Sequence, residues 1–150
     1  MGYRYINIDD FWAKGRDVNG ILLASDAFPS GMKALGDYIH SKGLLFGLYT
    51  DVGTNTCDGQ RQVHMSMNVK MPIAEWGVDW LKEDHCALPK LKNESSDEFY
   101  LSALTKMSRC LNSTGRGVYF DLCAHGCFGS LHNPSCWDKW YTNTMQIGNS

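Results

Sequence analysis

A chain of 150 residues, 43% hydrophobic, 20% charged and with a net charge of −2, has the length and make-up of one ordinary soluble domain. The balanced charge offers no basic footprint for nucleic acid or for an anionic membrane surface. No apolar run approaches the ~20 residues that a spanning helix needs. In chain order, Tyr3 to Asp9 reads as a strand. A turn-rich stretch follows through Lys14-Gly15-Arg16-Asp17-Val18-Asn19-Gly20. Met32 to Ser41 carries Met32, Leu35, Tyr38 and Ile39 at helical spacing, with Gly43 as the stop. Leu44 to Thr50 is a near-continuous apolar run, the pattern of a strand buried on both faces. Met71 to Trp76 is a short helix ending at Gly77, and Val78 to Lys82 the next strand. Asp97 to Leu111 is the clearest helix, closed by Gly115, and Gly117 to Leu122 is a fourth strand. Beyond Ala124 the pattern is irregular, with a helix expected over Cys136 to Met145.

Four strands separated by three helical crossovers predict a parallel sheet with right-handed connections. A complete eight-unit barrel takes ~250 residues, so the chain supplies about half of one. An open four-stranded α/β domain is the competitor, disfavoured by the missing Gly-rich phosphate loop. The ends of two strands carry most of the functional signal. Tyr5-Ile6-Asn7-Ile8-Asp9-Asp10 and Trp80-Leu81-Lys82-Glu83-Asp84-His85-Cys86 are apolar runs that stop on carboxylates. In a parallel β/α architecture that is where side chains meet substrate, and the pair points to a carbohydrate-active barrel enzyme or a piece of one.

The N-terminus enters a strand pattern without a signal peptide, which fits a cytosolic protein or a chain whose true beginning is missing. Six cysteines, at 57, 86, 110, 123, 127 and 136, favour the second option. Their spacing is not that of a zinc site. Asn93-Glu94-Ser95 and Asn112-Ser113-Thr114 are N-glycosylation sequons. Together these features predict a protein of the secretory route.

Several blocks resemble a known family in residues, order and spacing. They are Gly2-Tyr3-Arg4-Tyr5-Ile6-Asn7-Ile8-Asp9-Asp10, Phe28-Pro29-Ser30-Gly31-Met32-Lys33, Gly47-Leu48-Tyr49-Thr50-Asp51-Val52-Gly53, Thr56-Cys57 and Trp76-Gly77-Val78-Asp79-Trp80-Leu81-Lys82. The chain is similar here to the α-galactosidases and α-N-acetylgalactosaminidases of glycoside hydrolase family 27. The likeness is strong from residue 2 to about 86, persists through Leu111 to Arg116, and then weakens. It implies an α/β fold, a partial (β/α)8 TIM barrel of roughly strands two to five. Residues 1–150 would then be part of the catalytic domain, with both ends of the barrel and the C-terminal β domain missing.

The resemblance also implies roles. Asp84 matches the nucleophile of a retaining exo-glycosidase that acts on terminal α-linked galactose, with the acid/base Asp beyond Ser150. Lys82, two residues earlier, points to the same side of a strand, where its cation favours an ionised Asp84. Asp9 and Asp10 match the carboxylates that accept galactose hydroxyls. Trp12 would wall the sugar's apolar face, with packing under the barrel rim an equal alternative, and Tyr49 and Asp51 would end the next strand. Cys57 and Cys86 match a family disulfide. The mechanism calls for neither cofactor nor metal. The implied setting is lysosomal or secreted, with a homodimer as the implied assembly and no nucleic acid or membrane partner.

Departures matter as well. Where α-galactosidases have Cys-Glu-Trp, this chain has Cys123-Ala124-His125. A small residue at 124, in the substrate-binding set with Cys123, is also how N-acetylgalactosaminidases admit an acetamido group. Glu83 stands where an aromatic is common, and Phe11 where a Cys is. An α-N-acetylgalactosaminidase, or a galactose-binding protein without catalysis, are therefore the alternatives.

Overall fold

The computed structural model describes residues 2–59, 70–88 and 96–123. Four parallel strands, β1 (Tyr5–Ile8), β4 (Leu45–Asp51), β5 (Trp80–Asp84) and β6 (Tyr119–Leu122), form one sheet in the order β1-β4-β5-β6. The crossovers are α1 (Gly31–Ser41), α2 (Lys70–Glu75) and α3 (Ser96–Asn112). The expected helix over Cys136 to Met145, Asn93 and Ala124 all lie outside the described residues.

Register decides which residues share a face. Ile6 pairs with Phe46 and Ile8 with Leu48. Leu48 in turn pairs with Leu81 and Leu81 with Phe120. Side chains at paired positions of parallel strands point the same way, so this row covers the helix-facing side. There Met32 and Ile39 of α1, Ile73 of α2, and Met107 and Leu111 of α3 close the core. The opposite row runs through Tyr5, Trp80 and Tyr119, whose rings meet at centroid distances of 5.1 and 4.5 Å. The ladder crosses β4 at Gly47, where an added Cβ would collide with the Asn7 side chain.

Two expectations are corrected. The turn-rich stretch is a small antiparallel ribbon, β2 (Ala13–Arg16) with β3 (Leu22–Ala24). Its strands are too short to show a period. The connecting loop is fixed by Asp17, whose Oδ1 accepts the N–H groups of Asn19 and Ile21 at 2.9 and 2.8 Å. The strand expected over Val78 to Lys82 lies two residues later. Asp79 is occupied as an anchor: its Oδ2 accepts the Phe46 N–H at 2.9 Å and lies 2.7 Å from His40 Nε2. Arg116 reaches its Oδ1 at 2.5 Å and donates to the carbonyls of Val78 and Gly77. Burial alone would raise the Asp79 pKa, but these donors hold it below its ordinary value. The anchor ties α1, β4, β5 and the α3–β6 turn together at the end of the sheet opposite the carboxylates.

Candidate active site

The last residues of β4 and β5 alternate between the two faces. Tyr49 pairs with Lys82 and Asp51 with Asp84, all on the side away from the helices, while Thr50 and Glu83 turn toward α3. The chain after β1 brings Asp9 to the same rim. Lys82 Nζ sits between the carboxylates, 3.4 Å from Asp9 Oδ2 and 3.8 Å from Asp84 Oδ2. It also lies 4.8 Å from the centre of the Tyr49 ring, a favourable place for a cation. Burial alone would lower the Lys82 pKa, but Asp9 and Asp84 leave it raised. The side chain of Asp84 is only 6% exposed, and its Oδ1 accepts the His85 N–H at 2.9 Å.

Asp51 is wholly buried. Its Oδ1 accepts the Gly53 N–H at 2.6 Å, and its Oδ2 accepts the Cys86 N–H and the Tyr49 hydroxyl, each at 3.1 Å. Burial still outweighs these donors and pushes its pKa up to about 6. Gly53 is required here, because a Cβ would collide with the Cys86 carbonyl. Val52 N–H donates to the Asp84 carbonyl at 3.0 Å and Thr54 N–H to the Ala87 carbonyl at 3.1 Å. Across this joint runs the disulfide Cys57–Cys86, the pairing that the resemblance implied. Asp51, Cys57, Asp84 and Cys86 each bring a donor atom within 4.8 Å of the others. A cation site there would need both sulfurs as thiolates. Bonded to each other they have no such charge, so this set does not fit a metal.

Asp10 lies alongside, its Oδ2 accepting the Asp58 N–H at 3.4 Å. The next residue, Phe11, adopts φ 65°, and Ala87, just past Cys86, has φ 48°. These are the two non-glycine positive-φ residues among those described, and both flank the carboxylate rim, where such strain commonly concentrates. Cys123, at the end of β6, hydrogen-bonds through its side chain to Asp84, and burial, then the Asp84 charge, raise its thiol pKa. The structure thus brings together Asp9, Asp10, Tyr49, Asp51, Lys82, Asp84 and Cys123 at one end of the sheet.

Trp12 takes the packing alternative. It is 1% exposed, meets Trp76 edge-to-face at 5.6 Å and donates its Nε1–H to the Tyr49 carbonyl at 2.7 Å. Its ring is a support under β4 and offers no face to a sugar. Tyr49 is likewise buried, at 2%, and serves from beneath Lys82. Cys110 is a half-buried thiol. Asn112 is exposed at the end of α3. The sequence reading missed the Asp79 anchor and the wholly buried Glu83. The one signal for Glu83 was an acid replacing an aromatic inside an apolar strand.

A family model described as alpha galactosidase A, Melibiase_2, matches residues 1–147. An alpha-galactosidase of Coffea arabica is 41% identical over 155 residues, covering 100% of this chain and 36% of that protein. An alpha-N-acetylgalactosaminidase of Gallus gallus is 42% identical over 124 residues, covering 80% of this chain and 29% of that protein. The solved structure of an alpha-galactosidase from Saccharomyces cerevisiae with raffinose superposes with a TM-score of 0.72 at 35% identity, covering 81% of this chain and 27% of that one. The chain spans about a third of the length of the curated relatives it matches, and its sheet and helices are part of a TIM barrel.

Proposed function

This chain belongs to the alpha galactosidase A (Melibiase_2) family, and on that premise we propose that the whole protein is a retaining exo-glycosidase removing terminal α-linked galactose. The observation that carries the reading is the convergence of Lys82, Asp9 and Asp84 at the carboxyl end of parallel strands. Asp84 attacks the anomeric carbon and forms a glycosyl-enzyme intermediate, which water then hydrolyses. Lys82, 3.8 Å from Asp84, donates to a sugar hydroxyl. Asp9 and Asp10 accept galactose hydroxyls, as ionised carboxylates with several lone pairs can. A second carboxyl group ~5–5.5 Å from the nucleophile must protonate the leaving oxygen. Asp51 is near enough but is enclosed and engaged by Gly53, Cys86 and Tyr49. The resemblance to the family implies that the acid is an Asp beyond Ser150.

Raffinose, bound in the yeast relative, ends in α-linked galactose and supports this substrate class. The disulfide and the exposed Asn112 sequon support passage through an oxidising compartment. The test is the anomer formed first. Proton NMR of the whole protein turning over an aryl α-galactoside should show α-galactose appearing before mutarotation. Initial β-galactose would reject the retaining mechanism.

Ala124 favours a second reading of the substrate. A Glu there would accept the 2-hydroxyl of galactose and crowd a 2-acetamido group, and Ala does neither. Losing a hydrogen bond to a charged group costs ~1.5–3 kcal/mol, one or two powers of ten in preference. The whole protein should discriminate weakly between galactose and N-acetylgalactosamine, or favour the latter, and Ala124→Glu should restore galactose preference. Equal kcat/KM ratios for the two sugars before and after the substitution would remove residue 124 from the 2-position.

A further inference from the structure

Glu83 lies between the two residues that face the site but points the other way. It is wholly buried. Its Oε2 is 2.5 Å from Thr50 Oγ1, and its Oε1 has no hydrogen-bond partner among the described residues. Thr50 Oγ1 is also 2.8 Å from the Lys82 carbonyl. A threonine hydroxyl carries one proton, and it faces two oxygens here. The Lys82 carbonyl can only accept. Both contacts are bonds only if Thr50 donates to Lys82 and Glu83, carrying its own proton, donates to Thr50. An ionised Glu83 would leave a buried charge with one hydroxyl to share, which is costly.

The surroundings favour the neutral form. Asp51 on β4 and Asp84 on β5 are the charges acting on Glu83, both negative, and Thr50 is its hydrogen-bond partner. From α3 the group within reach is Tyr100, against whose ring His85 packs at 5.0 Å. On β6 the paired residue is the apolar Leu122. Burial first, and then the two acids, push the Glu83 pKa up to about 8.

We propose that Glu83 is a proton-carrying positioning residue: neutral, it ties β4 to β5 through Thr50 at the rung that sets Lys82 and Asp84 in the site, and losing its proton releases that rung. The catalytic consequence rests on Asp84 being the nucleophile; the proton itself does not. A folded-state pKa raised above the unfolded value gives stability that is full below about pH 4.5 and is lost as pH rises through about 8. Asp51, raised to about 6, acts in the same direction but is exhausted near that pH, so the window from pH 6 to 8 reports Glu83.

The experiment compares the whole protein with Glu83→Gln, whose amide still donates to Thr50, and with Glu83→Leu, which does not. Between pH 6 and 8 the unfolding equilibrium constant of the wild type should rise about tenfold per pH unit relative to Glu83→Gln. Infrared difference spectra of the wild type at pH 6 should contain a neutral carboxylic-acid carbonyl band that Glu83→Gln lacks. In turnover, Glu83→Gln should retain neutral-pH kcat and lose the alkaline fall, whereas Glu83→Leu should lose kcat at every pH. Parallel stability profiles for wild type and Glu83→Gln, or no acid band, would overturn the proposal even if Glu83→Leu failed to fold. If Asp84 were not the nucleophile, the infrared and stability differences would persist and only the turnover difference would vanish.

Discussion

Asp84→Asn in the whole protein is expected to lower turnover of an aryl α-galactoside by more than about 10³-fold, the scale seen when a covalent nucleophile is removed. The fold should survive. Asn is nearly isosteric, the Val52 N–H bond to residue 84 uses its main-chain carbonyl, and the side-chain oxygen bonded to the His85 N–H can be kept. What disappears is the negative charge beside Lys82 and the lone pair that would attack the sugar. A mechanism-based fluorosugar should attach to the peptide containing Asp84 in the wild type. Attachment at Asp9 or Asp121 would move the nucleophile, and Asp121 is a real competitor because it pairs with Lys82 on the same face of the sheet.

The parallel sheet was legible in the sequence because its strands and crossover helices differ so sharply in period. Leu44 to Thr50 is a near-continuous apolar run, and α3 repeats its apolar residues at helical spacing. The placement of Lys82 and Asp84 on one side of a strand was legible for the same reason, since a period of two leaves no other choice. The ribbon of β2 and β3 was not, because three or four residues are too few for a period and its loop depends on one Asp17 side chain.

The site was legible where charge ends a strand and obscure where a residue's role depends on which way it points. Trp12, next to two carboxylates, suited a sugar wall as well as a core. Only the direction of its ring, under β4 with the indole N–H on a backbone carbonyl, separates the two. Glu83 stood out only as an acid where an aromatic is common, and alternation sends it to the face opposite Lys82 and Asp84. Asp79 looked like an ordinary polar residue within a strand. Its anchor depends on His40 and Arg116, which approach from elements 39 and 37 residues away. Local sequence holds no record of such meetings.

Opening the disulfide should separate stability from chemistry. The bridge closes a loop with a sequence separation of 29, for which chain entropy predicts a loss of about 3–4 kcal/mol on removal. Cys57→Ser/Cys86→Ser should therefore shift the denaturant midpoint of the whole protein markedly. The catalytic geometry should suffer less, because three backbone N–H bonds, besides the Thr54 hydroxyl on the Ala87 carbonyl, join the same two loops. Cys86 N–H still reaches Asp51, Val52 N–H reaches the Asp84 carbonyl, and Thr54 N–H reaches the Ala87 carbonyl. At about 1 kcal/mol each they can hold Asp51 beside Asp84 once the protein is folded, so kcat should fall by less than about tenfold. Peptide mapping under non-reducing conditions should recover residues 57 and 86 linked in the wild type. A kcat loss beyond about a hundredfold at unchanged stability would mean that the bridge positions Asp84 directly, and that the backbone bonds around it are too weak to do so.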